Sequence, residues 1–242
     1  MPNSLVKPAE KMAAPSLQGR KWRVAGGISA MIIWIVAAFA GAGRLDWVRG
    51  CVCIAVYVLV MAGAGALVKR LNPELREARA KVVHKDTPRF DKIFMWIYLP
   101  LMFILVPVAA LDAVRFRALP LPEWTLLPGI ALFVAAMALI VWSLLSNPFA
   151  ESTVRIQQDR GQTVVSTGPY HIVRHPMYVG FILMSPATAL MLGSGWAMAV
   201  AALMLILVVW RTAKEDSFLQ RELPGYREYA ALTRFRLVPG LW

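Results

Sequence analysis

An all-α integral membrane fold, a bundle of about six transmembrane helices with a C-terminal helical hairpin, is what this sequence predicts, on three observations. Apolar residues make up 58% of the 242-residue chain, above the roughly 45–50% of soluble globular domains. Charged residues make up only 17%, against about 25% in such domains. The apolar residues also gather into six runs separated by polar connections. No run alternates polar and apolar residues with period two, which speaks against a transmembrane β-barrel. The composition excludes a disordered chain and a disulfide scaffold.

Residues 1–23 carry Pro2, Pro8, Pro15 and five Lys/Arg and read as a polar, disordered tail. Val24–Ala42 is free of charge and, at about 1.5 Å per residue, long enough to span a core of about 30 Å. Within it Ala38-Phe39-Ala40 resembles a signal-peptidase site, but the run is long for a leader and more spans follow, so a retained helix is expected. Gly50–Val68 is the second run. Its Cys51 and Cys53 lie on different helix faces and read as small packing residues. Lys69–Lys92 is polar, with eight Lys/Arg. Ile93–Leu111 follows, with Pro100 and Pro107 as potential bends. Asp112–Trp124 is a short connection, and Thr125–Ser146 is the fourth run. Asn147–Pro176 is polar and rich in turn formers. Met177–Leu192 and Trp196–Trp210 are short for full spans and are split by Gly193-Ser194-Gly195, which predicts a tight hairpin. Arg211–Trp242 reads as a partly amphipathic tail. Three regions result: a tail over 1–23, four membrane helices over 24–146, and a C-terminal region over 147–242 that holds the chemistry.

Loop charge orients the bundle. The chain has 26 Lys/Arg against 14 Asp/Glu. With six crossings, 22 of the basic residues fall on the side of the termini, and only Arg44, Arg49, Arg115 and Arg117 on the other. The positive-inside rule then puts both termini in the cytoplasm. Topology thus accounts for the basic excess, and no nucleic-acid partner is expected. Trp22, Trp47, Trp124 and Trp196 read as interface markers, and Tyr226 and Tyr229 as interfacial anchors.

Two segments loaded with chemistry fall on that basic side, held close by the hairpin. The first contains Gly168-Pro169-Tyr170-His171, then Arg174-His175-Pro176-Met177-Tyr178-Val179-Gly180. Pro176 holds His175 out of helical geometry and starts a helix, so Arg174 and His175 stand at a helix N-terminus that suits an anion. Gly180, a small residue near the helix start, leaves room for a ligand to approach. His171 and His175 have i,i+4 spacing, but Pro176 interrupts that helix and no third ligand is evident, so no metal is expected. The second segment contains Glu215-Asp216, Tyr226-Arg227-Glu228-Tyr229, Arg234, Arg236 and Pro239. Adjacent acids beyond a membrane exit suit an ammonium or sulfonium group.

This combination resembles the isoprenylcysteine carboxyl methyltransferase family, in its bacterial branch. Asn147-Pro148-Phe149 with Val154-Arg155-Ile156-Gln157 is similar to the family's lead-in, and Asn72-Pro73-Glu74-Leu75 and Phe90-Asp91-Lys92 match more loosely. The resemblance covers roughly residues 147–242. It implies a membrane enzyme, here of a bacterial inner membrane, that uses S-adenosylmethionine without a Rossmann domain. It also implies a cytoplasmic cofactor pocket and a lipid-facing tunnel for a hydrophobic or amphipathic acceptor. Gly168, Pro169, Tyr170, His175, Pro176, Gly180, Glu215 and Asp216 are its implied cofactor-binding residues, and Arg174, Tyr178 and Arg236 its implied catalytic ones. The family usually has two glutamates where this chain has Glu215-Asp216, which makes Glu215 the firmer ligand for the cofactor's amino group.

The chemistry leaves the acceptor open. A carboxylate is already ionised at pH 7 and needs only an orienting cation, Arg174 or Arg236. An amine or thiol needs a base, for which His171, His175 and Tyr178 are candidates. Carboxyl methylation is the leading reading, with a phospholipid amine or small thiol as the alternative. A membrane scaffold or transporter subunit is the rival class. The apolar runs hold almost none of the charges that mark a transport path, which ranks it second.

Overall fold

In the computed structural model the six runs become six long helices, joined among the described residues by two short α-helices and by brief π and 3-10 turns. The structure describes residues 17–79, 84 and 86–242. The elements are α1 (Leu17–Ala42), α2 (Val48–Leu71), α3 (Pro73–Arg79), α4 (Arg89–Ala110), α5 (Leu126–Ser146), α6 (Pro176–Leu192), α7 (Gly195–Glu222) and α8 (Tyr226–Leu232). Among the described residues there is no strand, only an isolated bridge between Pro120 and Ser194. Among the described residues, five helices are long and apolar enough to cross a membrane; α6, with 17 residues, is the shorter sixth. This is an all-α integral membrane protein, and exposed side chains such as Ile33, Leu59, Trp96 and Ile206 cover its lipid-facing surface. Helix α1 begins inside the segment read as a tail, and residues 1–16 of that segment lie outside the described residues.

Helix α7 departs from expectation most. It runs 28 residues to Glu222 instead of yielding to a tail after Trp210. Arg211–Glu222 contains no Gly or Pro and is rich in Ala, Lys, Glu, Leu and Gln, all good helix formers. The helix stops just before Pro224, which disfavours helical geometry at Leu223. At about 1.5 Å per residue, α7 is about 42 Å long, so its last turns stand beyond a hydrocarbon core of about 30 Å.

Helices α5 and α6 form the most extensive helix pair. Glycines allow their backbones to meet. A Cβ on Gly129 would lie 2.7 Å from Met191 N, and one on Gly180 would lie 2.9 Å from Ala136 O. Small residues serve membrane helix packing in this way because lipid offers no hydrophobic drive between helices. Gly180 therefore makes room for α5, where a ligand was expected. Trp47 also departs from its reading as an interface marker: it is buried over Gly50.

The α6–α7 hairpin is pinned by two buried charges. Arg49 donates from Nε to Met191 O at 2.9 Å, and from Nη2 to Leu190 O at 2.6 Å and Thr125 Oγ1 at 2.7 Å. Asp112 accepts from Ser194 Oγ at 2.5 Å, Trp196 N at 3.1 Å and Leu119 N at 2.7 Å. A cation thus caps the C-terminus of α6 and an anion the N-terminus of α7, each matching the helix dipole. Gly193 closes the turn at φ +75°, and a Cβ there would lie 2.6 Å from Arg49 Nη1. Gly193→Ala is therefore expected to lose about 1–3 kcal/mol of stability, read as a lowered midpoint in detergent unfolding.

Candidate active site

Helix α7 presents two stripes to the opposite end of the bundle. Arg211, Glu215, Leu219 and Leu223 repeat every four residues and line one pocket. The adjacent stripe, Thr212, Asp216 and Gln220, turns toward the start of α6 and the C-terminal segment. All residues lining the pocket fall between Asn147 and Tyr229.

Asp216 is fully buried and heavily engaged. It accepts from Arg174 through Nε at 2.7 Å and Nη2 at 3.2 Å, a bidentate pair. Arg236 Nε at 2.9 Å, Gln220 Nε2 at 2.8 Å and Tyr226 OH at 3.1 Å donate to it as well. His175 Nε2 lies 3.2 Å from the same carboxylate. Arg174 also donates from Nη1 to Thr233 O at 2.8 Å and Arg234 O at 2.7 Å. The backbone joins in, with Arg174 N donating to Phe235 O and His175 N to Arg236 O. The anion at the α6 N-terminus is thus the protein's own, and Arg174 ties residues 230–236 to α6 and α7.

Glu215 faces the pocket. Its carboxylate accepts a short hydrogen bond from Tyr178 OH. Glu151, the other acid on the lining, is engaged by Arg155 Nε at 2.8 Å and Nη2 at 2.9 Å. Tyr170, Tyr178, Tyr226 and Tyr229 wall the pocket with aromatic rings, and Tyr229 OH donates to Tyr170 O at 2.6 Å. Burial pushes the Tyr229 phenol up to about 12 and raises the Tyr170 and Tyr226 phenols. Thr153 Oγ1, on the pocket lining, is buried without a hydrogen-bond partner among the described residues.

Arg211 braces this wall. Its guanidinium lies 4.5 Å from the Phe94 ring centroid and 5.2 Å from that of Tyr178. Nε stands 2.7 Å from Asp91 Oδ1, with its N–H angled off the carboxylate, and Nη2 donates to Ser152 O at 3.2 Å. Asp91 Oδ2 in turn accepts from Val154 N at 2.7 Å. Helix α4 is thereby joined to α7 and to the 150s loop.

Of the residues singled out in the sequence, Tyr170, Arg174, His175, Tyr178 and Glu215 line the pocket. Asp216 and Arg236 meet behind it, and Arg236 also lies 4.9 Å from the Trp242 ring centroid. Arg234 is exposed. Gly168, at φ +59°, packs on Ser146 and Trp142, while Pro169 and Pro176 are buried. His171 is exposed and His175 is held by Asp216, so the two do not converge. Tyr226 and Tyr229, read as lipid anchors, are buried on the pocket wall. The sequence assigned no role to Arg211 or Thr153, and quoted Asp91 only within a loose motif match. The fourfold repeat from Arg211 to Leu223 was the available signal, visible once α7 is continued past Trp210.

Residues 124–224 match the family model described as phospholipid methyltransferase. That family belongs to the isoprenylcysteine carboxyl methyltransferase-like group of membrane methyltransferases. The match runs from just before α5 to just after α7. No individual curated protein matches the chain.

The two neighbouring acids are expected to respond differently to neutralisation. Asp216→Asn strips the buried Arg174 of its counter-charge and is expected to cost about 3–5 kcal/mol. Limited proteolysis then cuts at residues 223–236 faster than in the wild type. Glu215→Gln is expected to change stability by about 1 kcal/mol or less, with the cleavage pattern unchanged. A second expectation concerns alkaline pH. A buried phenol with a raised pKa contributes stability that is fully present below its unfolded value of about 10, and this is lost as pH rises through the folded value. Tyr229 therefore predicts that the C-terminal segment loosens between pH about 10 and about 12, and that Tyr229→Phe reduces this loss.

Proposed function

We propose that the chain, whose residues 124–224 match the phospholipid methyltransferase family model, binds S-adenosylmethionine in this pocket and methylates a membrane-embedded or amphipathic carboxylate. Glu215 carries this reading. It is a half-buried carboxylate on the pocket wall, engaged by Tyr178 alone among the described residues. The residues present suit the cofactor. Glu215 matches its amino group, the tyrosine rings offer π faces to its sulfonium, and the unpartnered Thr153 hydroxyl suits one of its polar groups. When bound, S-adenosylmethionine supplies an electrophilic methyl group.

The protein's own part is to position and to exclude water. Tyr178 fixes Glu215 by its hydrogen bond, and Arg211 stacks against Tyr178. Arg174 and Asp216 hold residues 230–236 against α6, so Tyr226 and Tyr229 remain on the pocket wall. A carboxylate acceptor suits this pocket because it needs no base. The His175 ring is already engaged by Asp216 and lies 3.3 Å from Tyr226 OH. Arg211, a guanidinium on the lining, takes the orienting role that the sequence assigned to Arg174 or Arg236. The description of the matched family favours a second reading, a phospholipid amine as acceptor. The pocket lies at the basic end of the bundle, and we place that end, with both termini, in the cytoplasm.

Calorimetry with S-adenosylmethionine on detergent-purified protein tests the donor. Wild type is expected to bind, and Glu215→Gln and Thr153→Val to weaken binding, Glu215→Gln by about tenfold or more. Absence of binding by folded wild type with lipid supplied would overturn the reading. Transfer of labelled methyl to an S-prenylated N-acetylcysteine, but not to phosphatidylethanolamine, is expected for a carboxylate acceptor. The reverse result selects the amine.

A further inference from the structure

A second feature lies outside this pocket. Helices α2, α5 and α6 enclose a groove of about 370 Å3, walled by apolar side chains such as Val68, Ile140 and Phe181. Among the described residues, its charged lining residues are Arg76 and Arg79, both on α3 where the chain leaves the membrane-crossing part of α2. Arg76 is exposed. The groove is built open at Gly65 on α2, where an added Cβ would meet nothing within 4 Å. At its inner end Met61 and Met184 line this groove and also an apolar cavity of about 430 Å3 between α1, α2, α4 and α6. Tyr57 OH and Thr188 Oγ1, 2.6 Å apart, form the polar spot of that inner cavity. A cationic rim, an apolar trough and an apolar inner chamber behind two flexible thioether side chains form a continuous amphipathic site.

We propose that this groove holds a membrane glycerophospholipid, its phosphate at Arg76 and Arg79 and one acyl chain running past Met61 and Met184. Charge complementarity selects the occupant. Guanidinium groups match phosphate oxygens in shape and charge, the rim stands where headgroups lie, and a free inorganic phosphate has nothing to place in the apolar trough. The site also touches the catalytic wall. Arg79 Nη1 donates to Ala150 O at 2.6 Å and Glu151 O at 3.2 Å, and Ser152 Oγ donates to Arg79 O at 3.1 Å. Ala150 and Glu151 line the pocket. A phosphate on Arg79 therefore steadies the loop that forms one side of the pocket. The lipid site stands whether or not the acceptor assignment holds.

Native mass spectrometry of the detergent-purified full chain tests this, with phosphatidylglycerol against a diacylglycerol of the same acyl chains as probes. Wild type is expected to retain one phosphatidylglycerol and to prefer it to diacylglycerol by about tenfold or more. Arg76→Gln, at an exposed position, is expected to abolish that preference with the unfolding midpoint unchanged. Gly65→Phe, which grows into the open groove, is expected to reduce retention of both lipids. Equal retention of phosphatidylglycerol and diacylglycerol by wild type overturns the proposal. So does full retention of phosphatidylglycerol by both variants.

Discussion

Asp216 accepts hydrogen bonds from Arg174, Arg236, Gln220 and Tyr226 while lying against His175. Three chain segments far apart in sequence meet on that one carboxylate: the start of α6, the last turns of α7 and residues 226–236. A buried carboxylate tolerates removal from water only when its lone pairs are filled by charged or polar donors. Here they are filled, and the same donors are in turn anchored by backbone carbonyls of the C-terminal segment. Tyr226 and Tyr229 depend on this arrangement for their place on the pocket wall. The cluster therefore shapes the pocket: Arg174, His175 and Tyr226 line it, and Asp216 stands behind them.

Glu215 is its neighbour in sequence and its opposite in role. Consecutive helix residues point about 100° apart, so one side chain faces the pocket while the next faces the protein's own arginines. The shorter aspartate side chain receives Arg174 in a bidentate pair. The separation follows from helix geometry alone: one acid organises the fold and the other faces the pocket.

The far end of the bundle is organised by the same rule with the charges reversed in order. Arg49 meets the C-terminus of α6 and Asp112 the N-terminus of α7, with Gly193 between them. Helix α6 is the shortest of the six long helices and is held by polar clusters at both ends. That lets a 17-residue helix sit among longer neighbours without exposing its terminal backbone groups to hydrocarbon, where each unsatisfied group costs several kcal/mol.

Much of this was legible in one dimension. Long apolar runs fix helices because a chain in lipid must satisfy its backbone internally, and all six appeared, although α1 starts well before its apolar run and α7 continues past its run to Glu222. Gly193-Ser194-Gly195 announced the hairpin by its turn chemistry, and the segments around Arg174–Tyr178 and Glu215-Asp216, singled out in the sequence, meet in space. The sequence by itself thus determined the six long helices and the hairpin. Tertiary structure alone decided which charged residue faces the pocket and which faces a partner side chain. Arg174, read as a contact for substrate, proved to be engaged by Asp216 and carbonyls of residues 233 and 234. Arg211 and Asp91, separated by 120 positions, became an ion pair only when α4 packed on α7. Tyr226 and Tyr229 moved from expected lipid anchors to the pocket wall because α8 folds back onto α7. Periodicity and composition report the local free energy of a segment in lipid. The engagement of a buried charge depends on partners brought from elsewhere in the chain, and no local pattern encodes them.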